Sequence, residues 1–361
     1  LIEIKNYNSV EEIKIEIEKE ANYIIFITED YILNLEDIRK KFKNRNFYGV
    51  IVPHIIINKS IFYSSIAVVK LKKEKSLFKL LNMKEISDDD KKFLENINSK
   101  SILLFVDGLS RYFEKLVNNL NNSLNKRVKV IGAGLGYKDF SHKFTIFDKD
   151  GTYKDHSLII GIDQNIRMGF SHGWKPIYGP LVVTKSKENI LYELNGEPAF
   201  EIYKKVLYEI DEQIITKENF FEIAKNYPFA MLSFSNEDLI VRDPVKANDD
   251  GSIQIVSSIN EMESLYIMKG KREELIESSC IFAKELFSNK IEGIGLIFDC
   301  ISRLIFLGNE FKKEIETIYE CGEKEDLKLF GISSIGEITN SKFNDIKIFN
   351  KTTLMGIIDD N

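Results

Sequence analysis

Four histidines, three cysteines, six prolines and one tryptophan serve 361 residues. Each scarcity excludes something. His54, His142, His156 and His172 lie far apart, and none pairs with a cysteine or a second histidine at ligand spacing. No zinc site, no other metal and no cofactor is expected on that ground. Cys280, Cys300 and Cys321 form an odd, sparse set without a CxxC pair. Such a set fits thiols in a reducing, cytoplasmic compartment and speaks against a disulfide framework. No apolar run approaches the roughly 20 residues of a membrane span. The opening LIEIKNYNS lacks the order of a signal peptide. Lysines and arginines are scattered through a chain of net charge −6, so no basic face suits nucleic acid. With 43% hydrophobic and 29% charged residues, the chain reads as soluble and globular, long enough for two or three domains.

What is present is a stretch written twice. Residues 101–111 read SILLFVDGLSR, followed by an amphipathic run, VKVIGAGLGYKD and FTIFDKDGTY. Residues 293–303 read GIGLIFDCISR, followed by an amphipathic run, LKLFGISSIGEI and DIKIFNKTT. Asp107, Ser110 and Arg111 align with Asp299, Ser302 and Arg303, and Gly132 aligns with Gly331. A duplicated unit in two copies predicts a pseudo-symmetric pair with a site between them. The first block, with strands at 23–28, 48–52 and 65–71 and a helix at 34–42, follows the same order more weakly.

Elsewhere the periodicities predict a helix or edge element over 9–21, one or two helices within 70–100 with Ser87 as N-cap, and strands at 229–234, 239–242 and 253–257. Pro198 stands near the start of a helix reaching 210, and 272–286 is a second helix. Asp148–Gly151 and Asp249–Ser252 read as hairpin turns, not calcium loops. The fold class is α/β in the mixed α+β sense: two related halves, with partly antiparallel mixed sheets packed centrally and helices outside. The division falls between residues 1–197 and 198–361.

Three motifs invite chemistry. Gly169–Gly173 matches GxSxG, yet Trp174, Pro176, Gly179 and Pro180 follow where a nucleophile elbow needs a helix. Gly132–Gly136 is spaced GxGxG and leads into a loop, so it lacks the helix N-terminus of a dinucleotide site. Its glycines either expose amides to a small ligand or let two backbones approach. Cys300 beside Arg303 is either an activated thiol or a small buried hydrophobe. At the strand ends, Asp107 and Asp299 with their arginines either meet a ligand or pair locally and cap the next helix.

Taken in order, IGAGLGYKD (131–139), SHGW with KP (171–176), LYELNGEPAFEIY (191–203), VRDPV with NDDGSI (241–253), IFDCISR (297–303) and GISSIGEI (331–338) resemble the FIST family, with FIST-N and FIST-C regions. They span nearly the whole chain. The first block departs, with GVIVPHIIIN (49–58) where the family has a Gly/Ser/Thr-rich turn. The resemblance implies a sensory module of a signal-transduction system that binds a small amino-acid-like ligand without catalysis and acts on a signalling output partner. An amino acid needs an arginine for its carboxylate and an acid for its ammonium. The candidates are Arg303, Arg242 and Arg111 for the first, and Asp299, Glu337 and Asp107 for the second. Trp174 and Tyr137 would form a wall and Gly134 a backbone contact. The alternatives are an interaction scaffold, or a hydrolase using Ser171 or Cys300.

Overall fold

The computed structural model describes residues 2–14, 21–232, 239–288, 293–322, 328–341 and 344–359. Ile15 and Ile17 of the first amphipathic segment lie outside them, as do Ser233 and Phe234 at the end of the expected 229–234 strand, which is described as Phe229–Leu232.

Three sheets of six strands each are built on one plan. A central strand pairs in parallel with the strand after its helix and antiparallel with a third. The central strands are Ala21–Ile27, Ser101–Asp107 and Gly293–Cys300, with parallel partners Asn46–Ile51, Lys129–Leu135 and Lys328–Ser334. Their antiparallel partners are Ile66–Lys72, His156–Ile162 and Thr353–Asp359. The repeat thus extends to a third copy, the first block. Apolar residues occupy both faces of the central strands, as buried strands require.

Each unit also lends a hairpin to another unit's sheet. The hairpin of Ile55–Ile57 and Ser60–Phe62 pairs with 328–334. Ile146–Phe147 and Thr152–Tyr153 pair with 46–51. Glu337–Asn340 and Ile346–Phe349 pair with 129–135. The exchange runs round all three units, so the sheets are interlocked. Residues 1–197 alone would leave strand 129–135 without its hairpin and strands 55–62 without their sheet. We expect that fragment to show no cooperative unfolding transition by circular dichroism, and co-expression with 198–361 to restore one.

The inner faces meet in one apolar core. Phe105 meets Phe26 and Phe298 edge to face, with ring centroids 5.3 and 5.9 Å apart. An apolar cavity of about 20 Å³ remains beside them, lined by Ile24, Leu103, Leu296 and these rings. It has room for about one water-sized sphere. The central space where a ligand cleft was expected between the copies is filled by side chains. Helices cover the outer faces: Leu35–Phe42 on the first sheet, Asp88–Asn96 and Phe113–Ser123 on the second, and Arg272–Leu286, Ile301–Leu307 and Phe311–Cys321 on the third. A further eight-stranded sheet, including Lys175–Lys187 and Ser264–Lys269, carries helix Ala199–Asp211 and its own core.

Local signals match where they were local. Ser87 caps its helix with Asp90 in a reciprocal capping box. Asp148 Oδ1 accepts from the amides of Asp150 and Gly151, closing the hairpin turn. Two readings are corrected. Ser76–Asn82, expected within a helical stretch, is a strand along the edge formed by 156–162, because an available sheet edge overrides local helical preference. Cys280 and Cys321, read as thiols, form a disulfide between helices 272–286 and 311–321. Spacing along the chain says nothing about two helices that pack side by side, and the bond removes the cysteine argument for a reducing compartment.

Candidate functional site

The register of the central strands decides where the acids point. Gly132 lies opposite Leu104, and Gly331 opposite Ile297. A Cβ on either glycine would stand 2.1 Å from the Leu104 carbonyl oxygen or 1.7 Å from that of Ile297, so the two glycines are equivalent close-approach positions. That equivalence places Phe105 with Phe298 and Asp107 with Cys300. Asp299 matches Val106. The sequence alignment of the two aspartates is therefore one residue out of register, and in a strand one residue reverses the face. Asp107 turns to the inner side, and Asp299 turns outward to the helices. Two separate polar clusters result.

The first cluster gathers at the end of strand 101–107. Asp107 Oδ2 accepts the backbone N–H of Asp155 at 2.8 Å, and His142 Nε2 lies 3.2 Å from Asp107 Oδ2 and 3.2 Å from Asp155 Oδ1. Ser110 Oγ donates to Asp155 Oδ1 at 2.7 Å. Asp107 is fully buried, and among the described residues its Oδ1 has no partner. Burial raises its pKa, with the Asp155 amide and His142 opposing. Arg111 is exposed and donates to the Tyr112 hydroxyl at 2.6 Å. Tyr137 is buried and donates to the Phe144 carbonyl at 2.7 Å. Gly134 gives its N–H to the Gly336 carbonyl at 2.7 Å, and a Cβ there would meet the Ile335 oxygen at 1.9 Å. The Gly134 amide is thus taken up by backbone pairing, and the glycine permits the close approach of segment 335–336.

The second cluster is a buried, closely packed enclosure of charged side chains behind strand 293–300. Arg303 is completely buried. Its Nη1 donates to the carbonyls of His172 at 2.7 Å and Lys351 at 3.2 Å. Its Nη2 donates to Ser279 Oγ at 3.2 Å, to the Leu275 carbonyl at 3.4 Å and to Glu314 Oε1. Its Nε stands 3.4 Å from Asp299 Oδ1, which also accepts from Thr353 Oγ1 at 3.2 Å. Burial would lower the Arg303 pKa, but Glu314 and Asp299 outweigh it and raise it. Lys351 forms a buried ion pair with Asp243 at 3.0 Å and lies 4.8 Å over the Trp174 ring. Its φ of 54° is a conformation such a residue holds only when its surroundings impose it. Arg242 sits beside this chamber, donating to the Ile348 carbonyl at 3.2 Å.

Burial dominates the chamber's protonation. It drives Asp299 well above the carboxylate range, helped by Glu314. It pushes Glu337 up to about 8, although Ser334 Oγ donates to Glu337 Oε1 at 2.5 Å. The pKa of the Cys300 thiol is raised by the same burial and by Glu337, so it is no activated thiolate. Among the described residues, Asp299 Oδ2, Glu314 Oε2 and Glu337 Oε2 have no hydrogen-bond partner. Ser171 is bonded to Ser278, and His172 Nδ1 accepts the Trp174 N–H at 3.0 Å, so neither forms the serine–histidine pair of a hydrolase.

A raised carboxyl pKa stabilises a fold below the group's ordinary range, and the contribution is lost as pH rises through the folded-state value. Stability should therefore fall between pH 4.5 and about 8 as Glu337 is forced to ionise. Glu337→Gln should flatten that slope and gain a few kcal/mol above pH 8. Melting curves across this range check it; parallel profiles for the two proteins would refute it.

Sequence reasoning had singled out Arg303, Asp299, Glu337 and Trp174, which the fold gathers with Lys351, Asp243, Glu314 and Ser279. It had passed over these four. Glu314 stands in FKKEIETIYE, which reads as a solvated amphipathic helix, and only the packing of helix 311–321 on 272–286 reveals its burial.

Interlocked mixed sheets with helices outside and a charged interior chamber define a mixed α/β domain. Family models match both parts of it: FIST N domain over residues 23–197 and FIST C domain over residues 199–340. The chain belongs to the FIST family, whose domains are sensory domains in signal transduction. No match was found among curated proteins. Among the described residues no helix is long and apolar enough to cross a membrane.

Proposed function

We propose that this chain senses a small amino-acid-like metabolite, held in the chamber of Asp299, Glu337, Arg303 and Lys351, and reports its presence to a signalling output partner. The observation that carries this reading is the charge imbalance there. Asp243, Asp299, Glu314 and Glu337 gather there with Arg303 and Lys351, Arg242 lying beside them, and among the described residues nothing hydrogen-bonds Asp299 Oδ2 or Glu337 Oε2. Buried charge without compensation is costly, and a proton or an added cation relieves it. A ligand ammonium between Asp299 Oδ2 and Glu337 Oε2 supplies that cation. Arg303 and Lys351 would meet its carboxylate, and Trp174, under the Lys351 ammonium, covers one side. Because the chamber is closed, entry requires the Trp174 segment and the 350–352 turn to part, and the ligand draws on that open state.

A thermal-shift screen of amino acids and simple amines against wild type and Glu337→Gln tests the reading. The expected result is stabilisation of wild type by one chemical class and a much smaller response of the variant. An ammonium that displaces the Glu337 proton also makes the calorimetric heat at pH 7 depend on the buffer. If no amine stabilises wild type, or the variant responds equally, the chamber is not the ligand site.

A further inference from the structure

The cluster at Asp107 lies outside the chamber, and the sensory reading makes no use of it. Its ligand atoms come from three places in the chain: the end of strand 101–107, the loop after the Gly-rich turn, and the entry to strand 156–162. One donor atom each from Asp107, His142 and Asp155 lie within 4.8 Å of one another. Two of the separations are 3.2 Å. Bonds of about 2.0–2.2 Å from a divalent ion to nitrogen and oxygen place neighbouring ligands about 3.0–3.4 Å apart. The spacing is that of a coordination polyhedron's edge.

A hydrogen-bonding account of the same atoms falls short. His142 Nε2 carries at most one proton, and it stands equally far from two carboxylate oxygens. Independently, the Asp107 side chain is 1% exposed and its Oδ1 has no partner among the described residues. Its Oδ2, the oxygen that meets His142, also accepts the Asp155 amide, and the Asp155 oxygen that meets His142 accepts from Ser110. These are the outer contacts that orient metal ligands. His142, about one-third exposed, stands on the solvent side and leaves a path for an ion to enter.

We propose that Asp107, His142 and Asp155 bind a divalent first-row transition-metal ion, with Zn²⁺ the best match and its remaining position open towards solvent. One imidazole and two carboxylates suit such an ion better than Mg²⁺ or Ca²⁺, which take oxygen ligands. The histidines' spacing could not show this, because His142 and Asp107 are 35 residues apart and join only in the fold.

The test uses the untagged full chain, freed of metal by chelation. Co²⁺ is added as a spectroscopic probe and then displaced by Zn²⁺. The expected result is saturable binding of one equivalent, visible d–d absorption from a site with a nitrogen ligand, and a rise in melting temperature with Zn²⁺. His142→Ala changes a partly exposed loop residue and should fold as wild type does, yet weaken binding by about a hundredfold or more. Asp155→Asn should weaken it comparably. Three outcomes overturn the proposal: no saturable binding, unchanged affinity in His142→Ala, or Mg²⁺ and Ca²⁺ binding as tightly as Zn²⁺. Because the probe is the metal alone, none of them bears on the amino-acid reading.

Discussion

Replacing Arg303 with alanine is expected to destabilise the fold by about 3–5 kcal/mol, the usual consequence of leaving buried charge without its partner. Arg303 is the only cation bonded to both Asp299 and Glu314 among the described residues. Its guanidinium also ties together elements that do not adjoin in sequence, through the carbonyls of His172, Leu275 and Lys351. Without it, Asp299 and Glu314 lose their buried cation, and three backbone carbonyls lose a donor. Arg303→Ala with Glu314→Gln should recover part of the loss, because the second change removes one stranded charge. Denaturant midpoints of the two variants and wild type measure this. A midpoint for Arg303→Ala within about 0.5 kcal/mol of wild type would show the chamber to be solvated.

Reducing the Cys280–Cys321 bond is expected to cost about 4 kcal/mol by the chain-entropy account, for a bridge spanning 41 residues. The bond clamps helix 272–286 to helix 311–321. Those helices supply Ser279 and Glu314, whose side chains bond each other at 2.8 Å beside Arg303. Reduction therefore loosens the wall of the chamber where the middle of helix 272–286 is tied to the end of helix 311–321. Unfolding with and without reductant measures the effect, and Cys280→Ala with Cys321→Ala should remove the sensitivity to reductant. A wild-type midpoint that ignores reductant, with both thiols freely labelled, would mean that the bond is not made in solution.

The sequence carried the local features legibly. Ser87 and Asp90 cap a helix because the donors and acceptors lie within one turn. Asp148 closes its hairpin for the same reason. The repeated strand–helix–strand order was visible because duplicated apolar patterns survive as patterns. Its register was not. The strings around Asp107 and Asp299 align on their shared Asp, Ser and Arg, yet the glycines of the parallel partner strands pair one residue away from that match. Ser76–Asn82 was misread because its strand character comes from a neighbouring edge. The Cys280–Cys321 pair was missed because helix packing brings the two sulfurs together.

What the amino-acid order determined by itself is a mixed α/β chain of repeated units with Asp, Arg and Gly at strand ends, since propensity, capping and periodicity act over a few residues. The tertiary structure alone decided which unit receives each hairpin, which face each aspartate takes, and that Glu314 and Lys351 are buried beside Arg303 while His142 meets Asp107. Those outcomes depend on pairing between segments tens to hundreds of residues apart, where a single step along a strand turns a side chain from one environment to the opposite one.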